Sequence, residues 1–329
     1  MRYNSTYTPV MNLKTTIQAI ANLREMLVTR VRQIFDFIKV TPPLFFSEDS
    51  ELLINLNHIS RLISFDTLDE YKIGCLTLSH TNWMRKMIDR LDLDFNQGLE
   101  SESTLIWRDL EELPTNSITK HELVFQIKIN QEDDIAITKK ISKKIYQIIF
   151  ELATYVHNHY KINNIYPSQV DFISSQMLEH ELPNESPKNR ELEFAIQKES
   201  FILVSGGMKL FSGKRHSDIP PYLYDLKNSY QIVMRDRINS LPIKVATITL
   251  LANGHTLKDQ LMLYDYEKLL ATEFYQDLTK KTYKIIEIKI NLPRLMMALL
   301  GKGHIAEVQA GIISHEVKQI KEKFDIEVI

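Results

Sequence analysis

Basic residues are concentrated in one short segment that could bind an anion. Lys209, Lys214, Arg215 and His216 alternate there with small residues such as Gly213. Ammonium and guanidinium groups bind phosphate and carboxylate through charge-assisted hydrogen bonds. The segment is therefore a candidate loop for a phosphate group or an acidic partner, and a solvated surface loop is the alternative.

The histidine and cysteine residues form no pattern typical of a metal centre or a nucleophile. His157 and His159 lie two positions apart near the end of a predicted helix, so their side chains point about 200° from each other. The carboxyl end of a helix favours protonated histidine, which favours a solvated position for this pair. Cys75 lies in an apolar, strand-like run and is predicted to be a core residue. We predict no metal ligands.

The glycine content argues against a glycine-rich phosphate-binding loop. The chain has 329 residues and 9 glycines, whereas an average usage of about 7% would give roughly 23. Loops that bind phosphate through the backbone need clustered glycines for close approach. The composition therefore predicts that any phosphate site depends on side chains.

Charge and hydropathy limit the classes of partner. The chain carries 40 basic and 42 acidic residues, a formal net charge of −2, so nucleic acid is an unlikely partner. No run approaches the roughly 18 apolar residues of a membrane span, and residues 1–20 lack the apolar region of a secretory signal. A single cysteine fits a reducing compartment. We expect a soluble, cytoplasmic protein with no membrane partner.

Strands and helices must position any functional groups in this chain. Leu123, Phe125, Ile127 and Ile129 alternate with other side chains, which is typical of an antiparallel strand with one buried face. The predicted helices cover about residues 12–38, then 80–91, 133–160, 191–198, 256–272 and 293–300. The predicted strands cover residues 44–47, 52–56, 59–65, 71–78, 103–107, 121–129, 170–173, 201–205, 231–234, 244–251 and 283–291. Because strands dominate without regular βαβ spacing, we predict an α+β fold in one domain, residues 1–329.

Several short segments carry a family resemblance when they are taken in order. Residues 303–311 read Gly-His-Ile-Ala-Glu-Val-Gln-Ala-Gly, and residues 294–300 read Arg-Leu-Met-Met-Ala-Leu-Leu. Residues 256–261 read Thr-Leu-Lys-Asp-Gln-Leu, and residues 172–176 read Phe-Ile-Ser-Ser-Gln. Their order and spacing resemble those of ammonia-dependent asparagine synthetases (aspartate–ammonia ligases), over roughly residues 30–315.

The resemblance implies a fold, a reaction and an assembly. The fold would be like the catalytic domain of class II aminoacyl-tRNA synthetases, an antiparallel sheet flanked by helices, usually in a homodimer. Members of the family use ATP and Mg²⁺ to form an aspartyl-adenylate, which ammonia converts to asparagine, AMP and pyrophosphate. An amino-acid-like small molecule is therefore the expected ligand.

The resemblance also implies positions for site residues. Arg108 and Arg294 stand where the family has arginines at the ATP phosphates and adenine, so they are the expected catalytic residues. With Asp109 they are also the expected nucleotide-binding residues, and both arginines should face one pocket. The expected substrate-binding residues are Ser79, Arg85, Gln126 and Asp225.

The polar residues of the family site are extensively replaced in this chain. Residues 125–130 read Phe-Gln-Ile-Lys-Ile-Asn where the family has Asp-Gln-Trp-Asp-Trp-Glu. Residues 287–294 read Glu-Ile-Lys-Ile-Asn-Leu-Pro-Arg where the family has Gly-Gly-Gly-Ile-Gly-Gln-Ser-Arg. We expect Ile288 and Lys289 to crowd a nucleotide laid across that strand, and Lys128 to repel the metal and ammonium that acidic groups would hold.

These replacements leave three hypotheses open. The chain could be an aspartate–ammonia ligase family protein whose own catalysis is weakened or lost, as in a pseudoenzyme. It could be a non-catalytic paralogue that binds an amino acid or an active synthetase subunit. It could also be a ligase repurposed for another carboxylate, with Arg85 and Lys128 recognising a more acidic substrate.

Overall fold

The computed structural model describes residues 7–54, 61–68, 72–130, 134–163, 166–311, 318 and 326–329. The helices are α1 Leu13–Arg32, α2 Thr81–Arg90, α3 Asp134–Tyr160, α4 Ser175–Glu181, α5 Pro187–Lys198, α6 Gly254–Leu263, α7 Glu273–Lys280 and α8 Leu292–Leu300. The strands are β1 Asp36–Lys39, β2 Phe45–Ser47, β3 Ser64–Asp66, β4 Ile73–Leu76, β5 Gln97–Ile106, β6 Thr119–Ile129, β7 Asp171–Ser174, β8 Ser200–Val204, β9 Tyr224–Asp236, β10 Leu241–Leu251 and β11 Lys284–Asn291. Residues 55 and 56 of the predicted strand at 52–56 and residues 59 and 60 of that at 59–65 fall outside the described residues, and the end of the latter overlaps β3.

One eight-stranded sheet organises these elements, in the order β1-β5-β6-β11-β10-β9-β8-β7. The five central pairings are antiparallel, whereas β1 pairs with β5 and β7 with β8 in parallel at the two edges. The predicted α+β class is confirmed, and the parallel edges are an addition that the strand pattern did not indicate. A second sheet has the order β2-β4-β3 and contains the buried Cys75.

Helix α1 is shorter than the predicted helix over residues 12–38. The Asn12 side chain caps its start by accepting a hydrogen bond from the backbone N–H of Thr15, as expected. After Arg32 the chain turns, and Asp36–Lys39 pairs with residues 97–100 as strand β1. Ile34 and Ile38 continue the apolar spacing of the helix, so the spacing alone predicted a helix that extends beyond its observed end.

The sheet has one apolar face and one face with a polar centre. Side chains of β6 and β11 that point to the apolar face pack against α1, α3 and α8, and among them Phe125 and Ile288 are at most 1% exposed. Gln126, Glu287 and Lys289 alternate with them and therefore point the other way. The expectation that Ile288 crowds a nucleotide is wrong, because the alternation places Ile288 in the core, on the face opposite to Lys289.

The segment at 303–311, which carried the strongest resemblance, is a structural cap. Nδ1 of His304 accepts a hydrogen bond from the backbone N–H of Ala306 at 3.1 Å. In return, the Glu307 carboxylate accepts from the backbone N–H groups of Gly303 and His304, both at 2.9 Å. These reciprocal contacts form a capping box, which satisfies backbone donors in a buried region.

Two buried histidines make the stability of the fold sensitive to acid. Burial lowers the pKa of both His80 and His304 to about 4. The unfolded chain binds more protons than the folded chain between pH 4 and 6.5, so stability is full above pH 6.5 and falls with pH below it. From pH 7.5 to pH 5 we expect each histidine to lower the free energy of unfolding by about 2 kcal/mol.

Urea unfolding of wild type and His304→Asn at the two pH values measures this effect. Asparagine can cap the same turn without titrating, so the variant should lose about 2 kcal/mol less than wild type between pH 7.5 and 5. Equal losses in the two proteins would show that His304 does not contribute to the acid sensitivity.

Candidate active site

A cleft of about 530 Å³ lies over the polar part of the sheet. Its floor consists of side chains from β9, β10 and β11, and its walls come from the connection between β5 and β6 and from residues 218–220. Lys120 and Glu122 of β6 and Arg294 of α8 close one side. The antiparallel register brings Glu122 opposite Asn291 and Val124 opposite Lys289, so residues far apart in sequence meet in one cleft.

Lys120 is a desolvated cation on the wall of the cleft. Its Nζ lies 3.1 Å from the centre of the Trp107 ring, a cation–π contact. Burial lowers the pKa of Lys120 to about 8, Glu122 opposes this shift, and the charges of Arg294 and Lys289 add to it. Lys120, Arg294 and Lys289 are therefore close enough in the cleft to repel one another.

Arg294 is held at the start of α8 by neutral partners. The Asn291 side chain caps the helix by accepting from the backbone N–H of Arg294 at 3.0 Å. The Arg294 guanidinium donates to the carbonyl of Thr115 at 3.1 Å and to the side-chain oxygen of Asn116. Burial lowers its pKa, and Glu122 opposes that shift. Among the described residues, no carboxylate lies within salt-bridge distance of Lys120 or Arg294.

Lys289 fills one end of the cleft with its own ammonium group. Nζ lies 2.9 Å from Oγ of Ser79, 2.9 Å from Oγ1 of Thr81, 2.8 Å from the hydroxyl of Tyr224 and 3.1 Å from Oε1 of Glu287. Burial acts to lower the pKa of Lys289, but the Glu287 carboxylate and Tyr224 outweigh it and raise that pKa. Lys289 is therefore firmly charged, and we call these four oxygen-bearing residues the ammonium cage.

The carboxylate of the cage is fully engaged by protein donors. Glu287 is 1% exposed. Its Oε1 accepts from the hydroxyl of Tyr224 at 2.9 Å and from Oγ1 of Thr81 at 3.2 Å. Its Oε2 accepts from Nε2 of Gln126 at 2.6 Å. Buried carboxylates are stable only when they are paired and hydrogen-bonded, and this one is both.

Three residues implied by the resemblance line the cleft. Ser79 lies at its inner end against Lys289, Arg294 lies on its wall, and Asp109 lies near its mouth. The Asp109 carboxylate is paired with Arg61, which lowers the pKa of Asp109. Lys289, which was expected to crowd a nucleotide, lies on the cleft face as the occupant of the cage.

Arg108 and Arg85 lie outside the cleft. Arg108 is exposed and donates to the carbonyl of Leu62 at 3.4 Å, so the expectation that it faces one pocket with Arg294 is not met. Arg85 is a residue of α2 and is 2% exposed, and its guanidinium donates a hydrogen bond to the carbonyl of Ala252. Burial lowers the pKa of Arg85, and its Nη1 has no hydrogen-bond partner among the described residues.

The remaining expected contacts are used within the protein. Gln126 is fully buried behind Glu287 and does not line the cleft. Asp225 closes a turn by accepting from the backbone N–H of Lys227 at 3.0 Å and from Nδ2 of Asn228 at 2.8 Å. Nζ of Lys128 donates to the carbonyl of Leu93 at 2.5 Å, away from the cleft lining. None of these three side chains is among those that line the cleft.

The basic segment at 209–216 is also engaged by neighbouring groups. Arg215 donates to the carbonyls of Gly207 and Ile219, and it pairs with Asp218 at 3.3 Å. Nε2 of His216 lies 2.9 Å from Oε1 of Glu191, which also pairs with Lys244. The side chains of Arg215 and His216 are therefore already used by neighbouring groups, which argues against a free phosphate loop in this segment.

Sequence reasoning missed Lys120, Glu122 and Trp107. No motif marks them, because each contributes a single side chain from a different position in the chain. The alternation within β6 could have shown that Lys120 and Glu122 share the face of Gln126, opposite to Leu123. The Trp107 contact needed the pairing of β5 with β6, which the sequence does not state.

Comparison with known proteins decides the family. The family described as aspartate–ammonia ligase matches residues 14–325, nearly the whole chain. The chain belongs to the aspartate–ammonia ligase family.

Curated relatives agree in length as well as in sequence. An aspartate–ammonia ligase of Fusobacterium nucleatum is 26% identical over 326 residues, covering 98% of this chain and 99% of that protein. One from Clostridium tetani is 27% identical over 322 residues, covering 96% of this chain and 94% of that protein. The resemblance noted in the sequence therefore extends over the full fold of this ligase-family protein.

Solved structures confirm the class II synthetase-like fold. Asparaginyl-tRNA synthetase from Entamoeba histolytica, in complex with asparaginyl-adenylate, superposes with a TM-score of 0.65 at 10% identity, over 90% of this chain and 66% of that one. The Pyrococcus horikoshii enzyme, also with asparaginyl-adenylate, gives 0.61 at 12% identity, over 90% and 68%. The ligase-family chain spans about two thirds of these synthetases. Within its described part, none of its helices has the length and apolar character needed to cross a membrane.

Proposed function

We propose that this protein is an ATP-dependent ligase that activates a substrate carboxylate as an acyl-adenylate in the cleft and transfers the acyl group to ammonia. One observation carries the proposal. Lys120, Lys289 and Arg294 converge on a single cleft, and two of them have no carboxylate partner among the described residues. Family membership supports the reaction class, and the proposal leaves the identity of the acid open.

The chemistry explains why such a cleft needs cations. A carboxylate oxygen of the substrate attacks the α-phosphorus of ATP, the bond from that phosphorus to the bridging oxygen breaks, and pyrophosphate leaves. Ammonia then attacks the acyl carbon, AMP leaves with the bond electrons, and the nitrogen loses a proton to give the amide. Both reactants of the first step are anions, so fixed positive charge lowers their repulsion and stabilises the charge that develops.

Lys120 and Arg294 are the groups best suited to contact the phosphates. Arg294 is held rigidly by Asn291, Thr115 and Asn116, none of which neutralises its charge. Lys120 is desolvated against Trp107, so an anion that reaches it would raise its pKa from about 8. Positioned, poorly solvated cations interact strongly with an anionic ligand because little water must be displaced.

The proposal assigns smaller roles to the other residues implied by the family. Ser79 contributes to the inner end of the cleft, and Asp109 to its mouth. Arg108 would have to leave its contact with the carbonyl of Leu62 to reach a phosphate. Arg85, Gln126 and Asp225 support the fold around the cleft through the contacts described above. The homodimer and the cytoplasmic location stay predictions.

The described residues do not by themselves form a binding site for Mg²⁺, the ion that the family implies. The described residues contain no group of three or more histidine, cysteine, aspartate or glutamate side chains that could hold a metal ion. The carboxylates at the cleft belong to separate ion pairs or are surrounded by cations.

Two measurements on the purified chain test this function. Calorimetric titration with ATP should show binding, and exchange of labelled pyrophosphate into ATP should depend on an added carboxylic acid, with aspartate among the acids tried. Addition of ammonia should then produce AMP and an amide. Absence of ATP binding at millimolar nucleotide would contradict the proposal and favour a role without catalysis.

A further inference from the structure

The ammonium cage has the composition of a site for the ammonium group of an amino acid, yet Nζ of Lys289 from the same chain occupies it. An ammonium ion is recognised by a carboxylate together with hydroxyl or carbonyl oxygens placed around its three N–H donors. Glu287, Ser79, Thr81 and Tyr224 provide this arrangement within 3.1 Å of Nζ of Lys289. All three donors of Lys289 are therefore satisfied by protein oxygens.

The other carboxylates that line the cleft do not replace the occupied one. Asp109 is paired with Arg61, and Asp218 is paired with Arg215. Glu122 lies among Lys120, Lys289 and Arg294 and raises the pKa of each of them or opposes its fall. A fourth cation beside Glu122 would be repelled by these three. Among the described residues, the cleft thus offers an incoming molecule the unpaired positive charges of Lys120 and Arg294, and Glu122, which has no salt bridge there, lies among three cations.

We propose that Lys289 is a specificity-determining residue that takes the place of the substrate's ammonium group. The acid that the cleft activates is then a carboxylic acid without an α-ammonium group, and a dicarboxylate suits the remaining cations best. The inference rests on the proposed adenylation in this cleft, but it does not depend on aspartate as the substrate. It deepens the proposed function by naming the class of acid.

The geometry explains how Lys289 excludes an amino acid. An ammonium group entering the Ser79 end would meet Nζ of Lys289, a like charge, in place of a carboxylate. A carboxylate entering there would meet Nζ and, across the cleft, Lys120 and Arg294. Lys289 therefore disfavours one substrate class, whereas the unpaired Lys120 and Arg294 favour the other, and many sites achieve specificity by combining such effects.

Succinate and aspartate form a matched pair of probes, because they differ only in the α-amino group. With the wild-type protein and ATP, we expect succinate to support pyrophosphate exchange with a kcat/KM at least about tenfold above that of aspartate. A kcat/KM for aspartate equal to or above that for succinate would overturn the inference while leaving the proposed function intact. Absence of ATP binding, and of exchange with either acid, would overturn the proposed function and with it the inferred substrate class.

Variants at Lys289 test the cage directly. Lys289→Ala should open it and raise the ratio of kcat/KM for aspartate over succinate by at least about tenfold. Lys244→Ala, at a cleft lysine outside the cage, should leave that ratio unchanged. An unchanged ratio in Lys289→Ala would contradict the assignment.

A binding measurement gives a readout that needs no turnover. Ethylammonium chloride at millimolar concentration should raise the melting temperature of Lys289→Ala relative to sodium chloride, because the ion refills the cage. Wild type and Lys289→Met, in which a side chain still fills the space, should show no such rise. A failure of ethylammonium to stabilise Lys289→Ala would overturn the view that these oxygens form an ammonium site.

Discussion

Replacement of Arg294 by alanine is expected to lower acid-dependent pyrophosphate exchange by about 10²–10³-fold, the usual effect of removing one positioned donor to developing charge. Arg294 lies on the wall of the cleft, and its partners Thr115 and Asn116 are neutral. Its full positive charge is therefore available to an anionic ligand. The loss should appear in kcat/KM measured by the exchange assay.

Three further variants make this result specific. Arg294→Gln can keep a hydrogen bond to Thr115 without the charge, so it should lose nearly as much exchange as alanine. Arg30→Ala removes an exposed arginine that contacts Glu151 on α3, and it should keep wild-type exchange. Arg108→Ala tests the resemblance: a loss as large as that of Arg294→Ala would mean that Arg108 reaches the nucleotide. Wild-type exchange in Arg294→Ala would contradict the proposed role.

Replacement of Glu287 by alanine is expected to lower the free energy of unfolding by about 3–5 kcal/mol, the cost of removing one member of a buried ion pair. Lys289 would stay charged beside Ser79, Thr81 and Tyr224 without a counterion. Nε2 of Gln126 would also lose its acceptor on Glu287. Urea unfolding followed by circular dichroism measures the difference.

The double variant Glu287→Ala/Lys289→Met separates the ion pair from general packing. Removal of both charges leaves no buried ion unpaired, so the double variant should be clearly more stable than Glu287→Ala alone. Glu193→Ala, at an exposed position of α5, should change stability by no more than about 0.5 kcal/mol. A loss below about 1 kcal/mol in Glu287→Ala would show that the pair is not buried as described.

Much of the secondary structure could be predicted from the periodicity of the apolar residues. The helix predicted over 133–160 is observed as Asp134–Tyr160, and the strand predicted over 121–129 as Thr119–Ile129. The end of α1 could not be predicted, because Ile34 and Ile38 fit both a helix and an edge strand. Pairing of β1 with β5 decides between them, and that pairing is a long-range contact.

The candidate site was predictable only in part. Colinear motifs identified the family and placed Ser79, Asp109 and Arg294 at the cleft. They also placed Arg85 and Gln126 at a ligand, although both are buried within the protein. A motif transfers a position in the sequence, whereas contact with a ligand depends on which neighbour has already taken the hydrogen bonds of that side chain.

By itself, the sequence determined the alternation of the strands, the N-terminal cap of α1 at Asn12, the family and the shortage of glycine near the expected nucleotide site. Those properties are local, because they depend on residues a few positions apart. Only the tertiary structure decided that Glu287 meets Gln126 in the sheet register and that Lys289 meets Ser79, 210 positions away in the chain. Such contacts follow from strand order and register. They bring together Glu287 and Lys289, which stand where the family has glycines, in a filled ammonium cage.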